Sequence, residues 1–266
     1  MFESVGYTGE LSGITVTGGM TLRNRVALIT GGSRGIGRGI AARLAQNGAR
    51  VAIAYRSNKA AAQQTLRQLQ ANGAECVAVE TDISDPARAE QLVKTVVDRF
   101  GRVDVLVNNV GDFRWGTVAE TTLEDWNGIF CSNLLTVLYM CRASLPHMRR
   151  GRWGRIINLG AVGAERAFGQ AKISAYAAAK AAVVALSRSL ALEEAKNGIT
   201  VNVVNPSSVD ENELTLEEAR RIRDARFPIG RPPTVEDVAA TVAFFASEEA
   251  EYVTGQVVNV SGGWML

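Results

Sequence analysis

Apolar residues in this chain fall into two alternating patterns from Arg25 onward. Short, nearly continuous β-branched runs occur at Val26–Thr30, Val51–Tyr55, Val77–Glu80, Val103–Asn108, Arg155–Leu159, Val201–Val204 and Val257–Val260. Runs of that kind predict strands covered on both faces. Between them, apolar positions repeat at helical spacing over Ile36–Asn47, Lys59–Ala71, Pro86–Phe100, Leu123–Met148, Ala175–Lys196 and Val235–Ser247. Strand–helix alternation predicts an α/β fold, a single Rossmann-type doubly wound domain with a mostly parallel seven-stranded sheet flanked by helices. Residues 1–21 stand outside the pattern and read as an N-terminal extension, an arm or a hairpin. The domain then runs from 22 to 266. Its charged interruption, DENELTLEEARRIRDARF at 210–227, reads either as a small helical lid (209–228) over a site or as an amphipathic surface helix.

Bulk properties narrow the function. The chain has 266 residues, 47% of them hydrophobic, enough for one large core. A net charge of +2 gives no global field for nucleic acid or a membrane surface. No apolar run approaches the roughly 18 residues of a spanning helix. The first residues have neither the basic nor the apolar region of a signal peptide. Cys76, Cys131 and Cys141 lie far apart and His147 is the single histidine, so no metal site is expected. These features read as a reduced, cytoplasmic protein.

The first strand runs straight into ALITGGSRGIG. Gly31, Gly35 and Gly37, with Ser33, Arg34 and Ile36 between them, suit close approach of a pyrophosphate to a helix start. An acidic residue at the end of the second strand would bind the 2′-hydroxyl of NAD. That strand instead ends in Tyr55-Arg56-Ser57. Arg56 and Arg34 suit a 2′-phosphate, which predicts NADPH (NADP+) as cofactor. Asp82 and Ile83 follow the third strand and are placed for the adenine. Asn108, Asn109 and Gly111 follow the fourth, with backbone against a ribose.

Tyr176 and Lys180 are four apart, so on a helix they share one face. An ammonium beside a phenol favours the phenolate, and such a pair suits proton donation to a carbonyl oxygen. A site of this kind usually also holds the oxygen with a neutral hydroxyl, yet Leu159 to Ile173 contains no Ser or Thr.

The ordered set TGGSRGIG, NNVG, YAAAK, VNVVNP and TGQVVNVSGG resembles the short-chain dehydrogenase/reductase family, from about residue 22 to 264. GRIINLG, YAAAKAAVVALSRSLA and PIGRPPTVEDVAATVAFFAS are most similar to its 3-oxoacyl-[acyl-carrier-protein] reductases. The resemblance implies Tyr176 as proton donor, and Lys180 as the group that acidifies it and holds the nicotinamide ribose. It implies Asn133 as holder of a relay water, and Ala161 where the family has its serine. Pro206-Ser207 stands where Pro-Gly is usual, and Val110 where Ala is usual. Pro206 and Val209 are placed toward the nicotinamide carboxamide. Ser174 is the nearest hydroxyl to replace the missing one, with Asn158, Gln170 and Lys172 as other donors.

For the substrate pocket the candidates are Asp112, Phe113, Arg114, Trp115, Ala161, Arg166 and Phe168. The run HMRRGRWGR offers Arg149, Arg150 and Arg152 either to an acidic acyl-carrier protein or simply to solvent at a helix end. Small residues on the Ala175–Lys196 helix, with the resemblance, imply a homotetramer. Three functions are compatible with these residues. The first is NADPH-dependent reduction of a 3-oxoacyl-thioester-like carbonyl. The second is reduction of a C=N bond, as in pteridine-like substrates. The third is an NADPH-binding paralogue with weak turnover.

Overall fold

The computed structural model describes residues 21–209 and 214–265. Residues 1–20 of the predicted extension and the first four residues of the charged interruption, 210–213, lie outside them. Strands β1 (Val26–Thr30), β2 (Arg50–Tyr55), β3 (Cys76–Glu80), β4 (Val105–Asn108), β5 (Gly154–Leu159), β6 (Ile199–Pro206) and β7 (Val257–Val260) form one sheet, ordered β3-β2-β1-β4-β5-β6-β7. Every pairing is parallel, so the sheet is wholly rather than mostly parallel.

Parallel neighbours need crossovers, and helices supply them on both faces. Helices α1 (Gly35–Gln46), α2 (Lys59–Ala71) and α8 (Val235–Ala246) cover one face. Helices α3 (Pro86–Phe100), α5 (Thr136–Gly151) and α6 (Ser174–Glu194) cover the other. Strand alternation divides the core accordingly. Ala27 and Ile29 pack toward Ile40, Leu44 and Val242, while Val26 and Leu28 pack toward Leu92, Met140 and Val183. The strand order reverses between β1 and β4, which opens a crevice at their carboxyl ends.

The predicted helix over Leu123–Met148 is not uniform. It is α4 (Leu123–Phe130), a π-helical turn over Cys131–Leu135, and then α5. Single π turns shift the face that follows them and recur at functional sites. Leu123–Gly151 and Ser174–Asn197 prove long and apolar enough, by composition, to cross a membrane. Their apolar faces lie on the sheet: Met140, Cys141, Met148, Val183 and Leu190 are all buried there. The charged interruption contains a short helix, α7 (Leu216–Arg221), started by a capping box between Thr215 and Glu218.

Candidate active site

A cleft of about 620 Å³ opens at the reversal point between β1 and β4. Its floor is the β1–α1 turn. Gly31 and Gly35 take φ of 64° and 53°, a region side chains other than glycine rarely adopt. A Cβ on Gly35 would meet nothing within 4 Å, whereas one on Gly37 would lie 2.2 Å from the Gly31 carbonyl oxygen. The turn thus packs tightly beneath and leaves open space above, at the helix end that attracts anions. Asn109 braces it by donating to the carbonyls of Thr30 and Gly31 at 3.1 and 3.2 Å. The Thr30 hydroxyl in turn accepts the Asn109 N–H at 3.0 Å.

Gly31, Ser33, Arg34, Gly35, Ile36, Tyr55, Arg56, Ser57, Asp82, Ile83, Asn109, Gly111, Asp112 and Val209 all line this cleft. Gly37 does not; it lies beneath the turn. Pro206 is not on the wall either. Asn108 is buried under the sheet end, donating to Asn158 at 2.8 Å, because alternation along β4 turns it away from the crevice. Thr30, Asn58, Ser132 and Thr136 also line the cleft and were missed by sequence reasoning. Ser132 and Thr136 had a signal: they are four apart on the helix that carries Asn133.

Two arginines bound the far end. Arg34 and Arg56 are exposed there. Backbone and side-chain bonds from Ser84 hold the Asp82 carboxyl below its ordinary range, with the Arg56 and Arg88 charges adding to that. Tyr55 donates its hydroxyl to Glu80 at 3.2 Å, which fixes its ring as a wall. The cradle of glycines, the helix start and the paired guanidinium groups fit an adenine dinucleotide with a 2′-phosphate.

Beside Gly111 stand Asn133 and Lys180, with Tyr176 next to Lys180; none of the three, Tyr176 and Lys180 included, is on the wall of the cleft itself. Asn133 is fully buried in the π turn and donates to the carbonyls of Asp112 and Ile129 at 2.8 and 3.0 Å. Its Oδ1 has no partner, and a Cβ on Gly111 would stand 2.3 Å from that oxygen and 3.3 Å from Lys180 Nζ. Asn133, Gly111 and Lys180 therefore converge. Lys180 donates to the Leu159 carbonyl at 2.8 Å, and its Nζ lies 5.6 Å from the Tyr176 ring centroid.

The expectation that Lys180 acidifies Tyr176 does not hold in this structure. Burial pushes the Tyr176 phenol up to about 12 and the Lys180 ammonium down to about 8. Burial is the cause of both shifts, and Tyr176 carries its proton across neutral pH.

Ala161 follows β5 and brings no hydroxyl. Ser174 opens α6, two residues before Tyr176, which places it roughly 200° round the helix from that phenol. Its hydroxyl is sealed from solvent and has no partner among the described residues. Asn158 is committed elsewhere, donating to Ser187 at 2.8 Å from a fully buried position. Gln170 and Lys172 are exposed.

Phe113 meets the Tyr176 ring edge-on at 5.0 Å, and Trp115 meets Phe113 in the same way at 5.0 Å. A bridge between Gly116 and Ile173 holds this aromatic loop against the start of α6. The two candidate pocket arginines are occupied. Arg114 pairs with Asp125, while Arg166 donates to the Met265 carbonyl at 2.6 Å and faces Glu165 at 3.5 Å. Their anion-holding role loses its support, since each already has an oxygen partner. Phe168 is exposed and lies over Gly163.

Glu165 was not anticipated. It accepts from Asn205 at 3.0 Å and from Asn259 at 2.9 Å, and Asn205 also donates to Asn259 at 2.9 Å. Burial alone would raise the Glu165 carboxyl; the Asn259 bond, backbone N–H groups and the Arg166 charge outweigh it and hold the group below its usual range. No local signal could have found this triangle, because its members are 40 to 94 residues apart.

A Gly-rich turn feeding a helix, a crevice at the strand reversal, and beside it a half-buried Tyr176 with the buried Lys180 and Asn133 define a dinucleotide-dependent oxidoreductase. The comparisons are more specific. A family model described as enoyl-(acyl carrier protein) reductase matches residues 31–265, and the chain belongs to the short-chain dehydrogenase/reductase family. It is 39% identical to the 3-oxoacyl-[acyl-carrier-protein] reductase of Staphylococcus aureus strain Mu50, over 90% of this chain and 98% of that one. It is also 39% identical to the same-named protein of Vibrio cholerae, over 93% and 100%. Among solved structures, a blue fluorescent protein from a metagenomic library, in complex with NADPH, is 37% identical with a TM-score of 0.83, covering 92% of this chain and 100% of its own. An acetoin dehydrogenase from Salmonella typhimurium is 33% identical with a TM-score of 0.84, over 91% and 96%.

Proposed function

We propose that this protein is an NADPH-dependent reductase of a 3-oxoacyl-thioester-like carbonyl. The observation that carries the reading is the convergence of Asn133 and Lys180 on Gly111, a wall residue of the cleft, with the Tyr176 ring 5.6 Å from Lys180 Nζ. NADPH, when bound, supplies the hydride. The backbone of the β1–α1 turn and the start of α1 hold its pyrophosphate, and Arg34 and Arg56 hold its 2′-phosphate. Tyr176 gives its proton to the carbonyl oxygen, which its protonated state at neutral pH favours. Lys180 orients the ribose and replenishes that proton. The unpartnered Asn133 Oδ1 orders a water beside it.

Ala161 leaves the developing alkoxide with one donor where two are usual. A missing donor of that kind typically costs about 10²–10³-fold in rate, so turnover is slow. The same absence matters less for a C=N bond, whose nitrogen needs a proton but no alkoxide held. Ala161 therefore supports that second reading. Delivery of the thioester by an acidic carrier protein would fall to Arg150 and Arg152, since Arg149 is bound to Glu194. Assembly as a homotetramer in the cytoplasm completes the proposal, and small exposed residues of α6 such as Ala178 and Ala185 support it.

The test is NADPH consumption with acetoacetyl thioester and with a dihydropteridine, in wild type, Tyr176→Phe and Ala161→Ser. Thioester turnover that vanishes in Tyr176→Phe and rises in Ala161→Ser is the expected result. Turnover of the pteridine alone would shift the assignment to C=N reduction. Tight NADPH binding with neither substrate reduced would leave a binding paralogue.

A further inference from the structure

The β5–α6 turn, residues 160–173, carries Ala161 and leads into the helix of Tyr176. In place of a serine it holds a polar triangle. Glu165 accepts from Asn205 at 3.0 Å through one carboxylate oxygen and from Asn259 at 2.9 Å through the other. Asn205 and Asn259 are register partners at the carboxyl ends of β6 and β7. Asn205 sits directly over the turn: a Cβ on Gly160 would fall 2.0 Å from its Oδ1. One residue later comes Pro206, and Val209 beyond it forms cleft wall. Arg166, beside Glu165, reaches the Met265 carbonyl and adds the C-terminal segment. The turn is tied to β6 at its first residue, where the Gly160 N–H donates to the Val204 carbonyl at 2.9 Å, and its inner bonds are local, from Ala164 to Ala161 and from Arg166 and Phe168 to Gly163. Past Gly160, it is the Glu165 side chain that bonds the turn to β6 and β7.

We propose that Glu165 is a positioning residue, whose carboxylate locks the Ala161 turn to the β6 end so that substrate side and cofactor wall are held as one unit. The proposal rests on the carbonyl-reductase reading for its kinetic consequence, though not for the lock itself. A carboxylate is required because both Asn groups present N–H donors. An amide at 165 offers one acceptor and turns its own donors toward a donor. A lock of this kind acts on placement of the carbonyl against Tyr176, where displacements near 1 Å cost rate steeply. It does not touch the β1–α1 turn or the arginines that hold the cofactor.

The experiment compares wild type, Glu165→Gln and Glu165→Ala in three readouts: kcat and KM with acetoacetyl thioester, NADPH affinity, and amide hydrogen exchange over 160–173. The expected result is a loss of roughly ten- to a hundredfold in kcat/KM for Glu165→Ala, smaller for Glu165→Gln, with NADPH affinity within about twofold of wild type. Exchange over 160–173 rises in the same order, and added NADPH slows it in wild type but less in the variants. Unchanged ketone kinetics overturn the proposal. So does a loss of NADPH affinity in proportion to the loss of ketone activity, which marks general loosening. Should Glu165→Ala fail to fold, Glu165→Gln carries the comparison. Should wild type reduce no ketone, the reductase reading fails separately, and the lock then stands or falls on exchange: rates equal to wild type in Glu165→Gln sink it.

Discussion

Lys180 donates to the Leu159 carbonyl at 2.8 Å, and Leu159 ends the strand whose next turn carries Ala161. The ammonium is thus held by the same strand end that lacks the hydroxyl. Burial of that ammonium has a measurable consequence for stability. The Lys180 value falls from 10.5 to about 8, so between those pH values the folded chain binds fewer protons than the unfolded one. Stability then rises with pH across that window, and below it burial of the charge costs about 3 kcal/mol. Tyr176 works the other way: raised from 10.0 to about 12, it makes stability fall as pH climbs through that range. Denaturant midpoints should show Lys180→Met more stable than wild type at pH 7 and without the rise above pH 8.

Cofactor choice is expected to follow the two exposed arginines of the cleft. Arg56→Ala should raise the KM for NADPH roughly ten- to a hundredfold, the worth of a charge-assisted bond, and leave NADH nearly unaffected. Arg34→Ala should act in the same direction. Equal losses for both cofactors would assign these arginines to the shared pyrophosphate instead.

The β1–α1 turn has no room beneath it. Gly37→Ala would put a methyl 2.2 Å from the Gly31 carbonyl oxygen, and a backbone atom cannot swing aside. Overpacking of this kind costs about 1–3 kcal/mol, and here it should also lower NADPH affinity. Thermal melts with and without NADPH separate the two: the variant should melt lower alone and gain less from the cofactor.

The basic run at the end of α5 divides by partner. Arg149 donates to Glu194 at 2.9 Å, and Glu194 is buried on α6, where Asn197 also donates to it at 2.9 Å. Removing the guanidinium strands a buried carboxylate. Arg149→Ala should therefore lower the melting temperature clearly, while Arg150→Ala and Arg152→Ala leave it near wild type. If an acidic carrier docks here, the latter pair should weaken that binding, and more so at low salt.

The sequence by itself determined the frame. Continuous β-branched runs identify strands buried on both faces, and four strand or helix spans, Val26–Thr30, Lys59–Ala71, Pro86–Phe100 and Val257–Val260, coincide with the observed elements. Contiguous motifs were equally legible. Gly31 and the residues from Ser33 to Ile36 line the cleft because neighbours in a turn stay neighbours in space, and Tyr176 and Lys180 share a face because the helix period is fixed.

Tertiary structure decided what depends on distant partners or on burial. Arg114 and Arg166 read as pocket cations until Asp125, Glu165 and the Met265 carbonyl are seen to occupy them. The acidity expected of Tyr176 reverses because desolvation is a property of packing, not of spacing. The triangle of Glu165, Asn205 and Asn259 exists only where two strand ends and a turn meet, and no local pattern in the chain announces that meeting.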